Sequence, residues 1–341
     1  MLEDVFINRL PTNICFPLWR LLVICLLPLL LTFNTISSTD FNIPSIVIFI
    51  LILISLCGVA YFIQDNLLYY PDQPEHSRMY IINPAAFDSN FESVRLVTED
   101  GVLIHGLFLK YKSEPSNPTQ TVLFLHGNAG NVSHRIPNAK QMCARLEAHV
   151  LILDYRGFGK SEGTISEQGL YLDAEAGIEY LLQRPDVDRS RIILFGRSLG
   201  GAVAIHCAAQ SRLADKIYML IVENTFLSIP DAAKVLFSVP GLSFIPAFCY
   251  KNRYDSFTKI NKIKMPSLFI SGQADQLIPP SMMATLYQYC CASKKRMLKV
   301  TGGTHNETWT CTGYYQAIMK FMKEVASDVA MVNEAVTPPM C

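Results

Sequence analysis

The chain has 341 residues, and its 29 Lys and Arg are balanced by 29 Asp and Glu, so the formal net charge is zero. That balance argues against a nucleic-acid binder, which needs a basic excess on one face. Half the residues are apolar and only 17% are charged, which excludes a disordered chain.

The mean hydropathy of +0.24 is high for a soluble protein, and the excess is concentrated in residues 1–65. Residues 21–33 form an apolar run interrupted by Pro28. Its length suits a segment lying on a membrane surface, with a second span as the rival. Residues 45–63 (SIVIFILILISLCGVAYFI) carry no charge. At about 1.5 Å per residue they cover roughly 28 Å, the hydrocarbon thickness of a bilayer. A core helix is usually shorter and keeps one polar face. We therefore read 1–44 as a cytoplasmic or membrane-surface segment and 45–63 as a transmembrane signal anchor. Arg9 and Arg20 precede the run, and the first basic residue after it is Arg78. The positive-inside rule then places the larger part in the lumen or outside the cell, as a single-pass type II protein. A two-span hairpin would return it to the cytoplasm.

Residues 70–330 suit one large α/β domain, followed by a tail at 331–341. Runs at 93–98 and 102–111, joined by Glu99-Asp100-Gly101, read as a hairpin. Residues 112–119 are a polar loop. Short apolar runs then follow at 121–125, 150–153, 191–195, 218–222, 267–270 and 296–300. They alternate with helical patterns at 135–147, 166–183, 199–211, 280–290 and 312–327. Continuously apolar strands alternating with helices predict a mostly parallel central sheet with helices on both faces. Residues 225–262, punctuated by Pro230, Pro240 and Pro246, break the rhythm and read as a cap insertion over the strand ends.

Gly196-Arg197-Ser198-Leu199-Gly200 follows one strand and opens the helix beginning at Gly201-Ala202-Val203-Ala204. G-x-S-x-G is the signature of a sharp strand-to-helix turn that exposes a nucleophilic serine. The helix N-terminus directs N–H groups and a positive dipole end at any oxyanion formed there. Of the seven His, His305 follows the last strand and a Gly pair, where it can reach the carboxyl end of a central strand; His126 ends the first parallel strand, and His206 reads as a packed helical residue. The carboxylate that orients the base is assigned to Asp275, in the loop after the 267–270 strand, with Glu223 as the rival. The loop His126-Gly127-Asn128-Ala129-Gly130-Asn131 suits an oxyanion site built from the backbone N–H groups of Asn128 and Leu199. It lacks the Lys-Ser/Thr ending of a phosphate-binding P-loop. A His-x4-Asp pattern at His149 and Asp154 is read as incidental, because positions five apart on a strand point to opposite faces.

Ten cysteines leave the redox compartment open. Cys143 and Cys207 read as buried thiols, whereas Cys249, Cys290, Cys291, Cys311 and Cys341 leave room for a disulfide. No CxxC is present, which argues against a thiolate metal site.

With HGNAGN at 126–131, DYRGFGKSEG at 154–163, GRSLGG at 196–201, SGQADQLIPP at 271–280 and GGTHNETW at 302–309, the chain resembles the α/β-hydrolase superfamily. Over residues 45–325 it looks most like the membrane-anchored alpha/beta hydrolase domain-containing protein 13 group. The resemblance implies a serine hydrolase with Ser198, Asp275 and His305 as its charge-relay residues, one signal-anchor span and a lumenal or extracellular catalytic domain. It also points to Asn306 as a glycosylation site; Asn131 heads a second sequon. The expected reaction is cleavage of an acyl ester, thioester or amide through an acyl-enzyme. No metal or organic cofactor is expected. The expected partners are a lipid-like or acylated small molecule and the bilayer, with no nucleic acid, and no motif sets an oligomeric state. The rival readings are a catalytically silent membrane-tethered scaffold and a cytoplasm-facing protein-acyl thioesterase.

Overall fold

A computed structural model describes residues 51–52, 55, 58, 61–81, 91–112, 119–236, 246 and 249–336. Two compact units are distinguished, Met1–Ile63 and Gln64–Cys341. The apolar run 21–33, most of the run 45–63 and Cys341 lie outside the described residues. No described helix is long and apolar enough to cross a membrane.

The second unit is built on one eight-stranded sheet, ordered β1-β2-β4-β3-β5-β6-β7-β8. The strands are β1 (Phe91–Val97), β2 (Leu103–Leu109), β3 (Gln120–Leu125), β4 (Ala148–Asp154), β5 (Ile192–Arg197), β6 (Met219–Glu223), β7 (Ser267–Gly272) and β8 (Lys295–Val300). β1 pairs antiparallel with β2, and β2 antiparallel with β4; all other pairs are parallel. Only β2 therefore runs against the rest, and β3 to β8 direct their carboxyl ends to one edge. The central strands β4, β5 and β6 are buried along their whole length, which explains their unbroken Val, Leu and Ile content.

Helices cover both faces: α1 (Ile136–Leu146), α2 (Glu167–Gln183), α3 (Leu199–Ala209), α4 (Ile229–Leu236), α5 (Pro280–Tyr289) and α6 (Tyr314–Val336). On α6, Tyr314, Ile318, Phe321, Met322 and Val325 recur at three- and four-residue spacing and pack with α1 against Val122, Phe124, Ile193 and Phe195. α2, α3 and α5 cover the other face, over Leu123, Leu125, Leu194 and Phe269. α4 begins the insertion between β6 and β7.

Two boundaries differ from the sequence reading. The sheet domain begins at Gln64 and not at residue 70, because Tyr69 is buried and its hydroxyl reaches Asn252 at 3.0 Å and the Tyr254 hydroxyl at 2.8 Å. Asn252 in turn donates to Asp65 at 2.6 Å, and Gln64 brackets Cys249 and Lys251. The tail begins later than expected, since α6 continues through Val336. Cys249, Cys290, Cys291 and Cys311 are thiols, so none of these four forms the disulfide left open above.

Arg156, in the loop after β4, locks the hairpin to α2. Its Nε donates to Asp173 at 2.9 Å and its terminal nitrogens to Asp100 at 2.6 and 2.9 Å. Asp173 is fully buried, whereas the Asp100 side chain is 41% exposed. Removing the cation strands a buried carboxylate, so Arg156→Met is expected to lose about 3–5 kcal/mol in urea unfolding. Asp100→Asn, which disrupts the solvated half of the network, is expected to lose about 1 kcal/mol or less.

Candidate active site

β5 ends at Arg197 and α3 starts at Leu199. Ser198 lies between them at φ +55°, ψ −120°. That conformation is strained for a residue with a β-carbon. Four hydrogen bonds hold it: the Ser198 N–H donates to the Glu223 carbonyl at 2.9 Å, and its own carbonyl accepts from Thr225 Oγ1 at 2.7 Å and from the N–H groups of Gly201 and Ala202. The turn is so tight that a β-carbon at Gly196 would run into the Gly200 carbonyl, and one at Gly200 into the Leu125 carbonyl. Both glycines of the motif are thus a steric requirement of the site.

The loop after β8 brings His305 to this turn. His305 Nε2 lies 3.0 Å from Ser198 Oγ, and His305 Nδ1 lies 2.7 Å from Asp275 Oδ2. The other carboxylate oxygen of Asp275 accepts the N–H groups of Leu277 and Ile278, each at 2.8 Å. That pair of bonds fixes the carboxylate plane. With a carboxylate on Nδ1, the network selects the tautomer that carries its proton there and leaves the Nε2 lone pair toward the hydroxyl. Ser198, His305 and Asp275 are each 7–8% exposed, buried enough to limit water. The rival carboxylate, Glu223, is fully buried and engaged elsewhere, by Arg197 and the Tyr314 hydroxyl.

One residue not singled out in the sequence ties the three loops together. Asn224 follows β6 at φ +47°, a left-handed conformation that asparagine tolerates well. Its Nδ2 donates at 3.1 Å to the carbonyls of Thr304 and His305 and to Thr308 Oγ1. Its Oδ1 accepts the Gly272 N–H at 2.8 Å. The loops bearing His305 and Asp275 are therefore sewn to the strand whose Glu223 carbonyl holds Ser198. The sequence signal was thin: one polar residue after an apolar strand.

The loop after β3 passes beside the hydroxyl, since a methyl placed on Gly127 would stand 4.0 Å from Ser198 Oγ. Asn128 is pinned from the opposite side, donating through its side chain to the Leu68 carbonyl at 2.8 Å and accepting from the Tyr70 N–H at 2.9 Å. The Leu199 N–H belongs to the first turn of α3, where a helix has no internal acceptor for it. His126 is fully buried against Tyr155, and that burial lowers its pKa to about 4, so it stands neutral as part of the loop's framework.

The remaining sequence candidates fall elsewhere. His206 stacks on Tyr171 with ring centroids 3.4 Å apart. His149 accepts from the Tyr111 N–H, while Asp154 binds His105, so the His-x4-Asp pair is not joined. Asn131 is corrected as a glycan site. It is completely buried, donates to the carbonyls of Ser77 and Tyr80, and caps the turn at Val132–Arg135. Asn306 remains half-buried beside His305. Among the described residues, no three His, Cys, Asp or Glu side chains gather as a metal site requires.

The model of the alpha/beta hydrolase fold matches residues 120–242. Protein bem46 of Schizosaccharomyces pombe is 38% identical over 268 residues, covering 78% of this chain and 88% of the relative. An uncharacterized membrane protein of Saccharomyces cerevisiae, YNL320W, is 34% identical, over 76% of this chain and 89% of its own. Among solved structures, the Pyrococcus furiosus esterase Pf2001 superposes with a TM-score of 0.58 at 21% identity, covering 73% of this chain and 95% of that one, a likeness of fold. With its sheet order, its serine turn and these relatives, the chain belongs to the α/β-hydrolase superfamily, in the bem46-like group that includes the alpha/beta hydrolase domain-containing protein 13 type.

Proposed function

We propose that this chain is a membrane-anchored serine hydrolase that cleaves an acyl ester, thioester or amide through a covalent acyl-enzyme. The observation that carries the reading is the unbroken line from Ser198 Oγ to His305 Nε2 at 3.0 Å and from His305 Nδ1 to Asp275 at 2.7 Å. Neutral His305 accepts the hydroxyl proton as Ser198 Oγ bonds to the substrate carbonyl carbon. The carbonyl oxygen becomes an oxyanion, held by the N–H groups of Asn128 and Leu199; each such donor is worth roughly 3 kcal/mol. His305 then gives the proton to the leaving group, and a second round with water frees Ser198. Asp275 accepts the Nδ1–H of His305 and stabilises the imidazolium.

The substrate class follows from the surroundings. The uncharged run at 45–63 and the naming of the yeast relative as a membrane protein support a bilayer anchor. The apolar insertion at 225–262 supports a lipid-like or acylated substrate. The charge asymmetry around the run supports a type II arrangement with a lumenal or extracellular domain, in which the half-buried Asn306 is the sequon left for glycosylation.

A fluorophosphonate is expected to form an adduct on the peptide containing Ser198, and Ser198→Ala, Asp275→Asn and His305→Gln are expected to lower ester hydrolysis by about 10⁴-fold or more. An unmodified Ser198 peptide would remove the assignment. Asn224→Ala is expected to lower kcat by about 10²-fold while KM stays nearly unchanged, through misplacement of His305. Equal losses in kcat and in folded protein would mark Asn224 as merely structural. A mobility shift on glycosidase treatment, abolished by Asn306→Gln, is the expected topological result, and its absence counts against the lumenal arrangement.

A further inference from the structure

A second hydroxyl–imidazole–carboxylate relay lies in the sheet and shares no residue with the first. Ser93 is exposed on β1, at the edge of the sheet. His105 on β2 and Asp154 at the end of β4 are buried, Asp154 completely. Strand register brings them together: His105 is paired with Arg95 on one side and Asp154 on the other. Ser93, two residues from Arg95, lies on the same side of β1 as Arg95 and reaches His105 on the diagonal. His105 Nε2 stands 3.1 Å from Ser93 Oγ, and His105 Nδ1 stands 3.0 Å from Asp154 Oδ2. Atom for atom, this is the order found at Ser198, His305 and Asp275.

The carboxylate and the backbone that carries the ring are also held in place. Asp154 Oδ1 accepts the Val132 N–H at 2.8 Å. The His105 main-chain N–H donates to Ser161 Oγ at 2.8 Å, and that hydroxyl donates to the Asp154 main-chain carbonyl at 2.6 Å, which ties the backbone of the two residues together. Such a ring, with a buried carboxylate on Nδ1, keeps its Nε2 lone pair toward the exposed serine. What the second site lacks is the setting of the first. Ser93 lies inside a strand, and among the described residues no strained turn and no helix N-terminus stands beside it.

We propose that Ser93 is an independent, base-activated nucleophile and a site of covalent acylation by donors with good leaving groups, such as aryl esters and thioesters. Ser93 Oγ bonds to the donor's carbonyl carbon, its proton passes to His105 Nε2, and the bond to the leaving group breaks. The departing phenolate or thiolate takes that proton from His105, so the net change is acyl transfer to Ser93 with release of the phenol or thiol. Loss of one oxyanion donor alone slows acyl transfer by about 10²–10³-fold. The same deficit slows hydrolysis of the acyl-serine, so Ser93 accumulates a stable modification and does not turn over.

The test uses the full chain carrying Ser198→Ala, which leaves the second relay untouched, with p-nitrophenyl acetate as the donor and peptide mapping as the readout. The expected result is one acetyl group on the Ser93 peptide, formed at least about 10-fold faster than on Ser281, an exposed serine on α5 with no imidazole partner among its hydrogen bonds. His105→Gln is expected to remove that advantage. Acetylation of Ser93 no faster than Ser281, or unchanged by His105→Gln, overturns the proposal; the Ser281 comparison holds even if the glutamine variant folds poorly. Hydrolytic turnover by the Ser198 protein is measured separately, so either assignment can fail without the other.

Discussion

Ser198 occupies a backbone conformation that costs a residue with a β-carbon about 1–3 kcal/mol, and much of the surrounding architecture serves to keep it there. The two flanking glycines admit the carbonyls of Leu125 and Gly200 at distances no β-carbon permits. Thr225 closes the turn from β6, and the carbonyl of Glu223 receives the serine's own N–H. The strain is local and the restraint comes from three strands. Without the restraint the turn would relax toward an ordinary helix start, and the hydroxyl would leave the line to His305.

Behind the turn lies a buried ion pair between Arg197 and Glu223, with Tyr314 of α6 donating to the same carboxylate. Both charged side chains are at most 5% exposed. Pairs of this kind rarely add net stability, because desolvation offsets attraction, but they penalise every arrangement in which one partner is left alone. Arg197 and Glu223 are also register partners on β5 and β6. The pair therefore fixes the two residues that flank the serine N–H to the Glu223 carbonyl. Burial pushes the Tyr314 phenol well above its ordinary range, so it stays protonated as a donor and tethers α6 to the back of the site.

Most strands were legible because they are short apolar runs, and in the covered part of the sheet that pattern has few competitors; all eight runs recur as strands, shifted by a few residues at their ends, though β1 and β8 carry charged, exposed residues. Ser198, His305 and Asp275 were legible because turn chemistry at Gly196–Gly200, Gly302-Gly303 and Ser271-Gly272 marks the strand ends that must carry them. Asn224 and Asn131 were not. Their importance lies in side-chain bonds to main chain some fifty to eighty residues away, and a single polar side chain leaves no periodic trace. The start of the domain at Gln64 was hidden for a similar reason, since Tyr69 and Asp65 are anchored by Asn252 and Tyr254 from the far side of the chain.

The two relays separate what a triad supplies from what its scaffold supplies. His105 and His305 are matched in their hydrogen-bond partners, atom by atom, and both carboxylates are buried and held by main-chain N–H groups. The hydroxyl–imidazole–carboxylate geometry that proton transfer needs is therefore present at each. Only Ser198 stands at the N-terminus of a helix, beside a glycine that lets a second loop approach. General base assistance contributes about 10²–10⁴-fold, and main-chain oxyanion donors contribute a comparable factor that acts on both halves of an acyl-transfer cycle. A site with the first and not the second can be acylated but is slow to release its acyl group, whereas a site with both turns over. On the roles proposed for the two serines, the difference between them resides in the turn at Ser198, and the sheet itself is neutral between them.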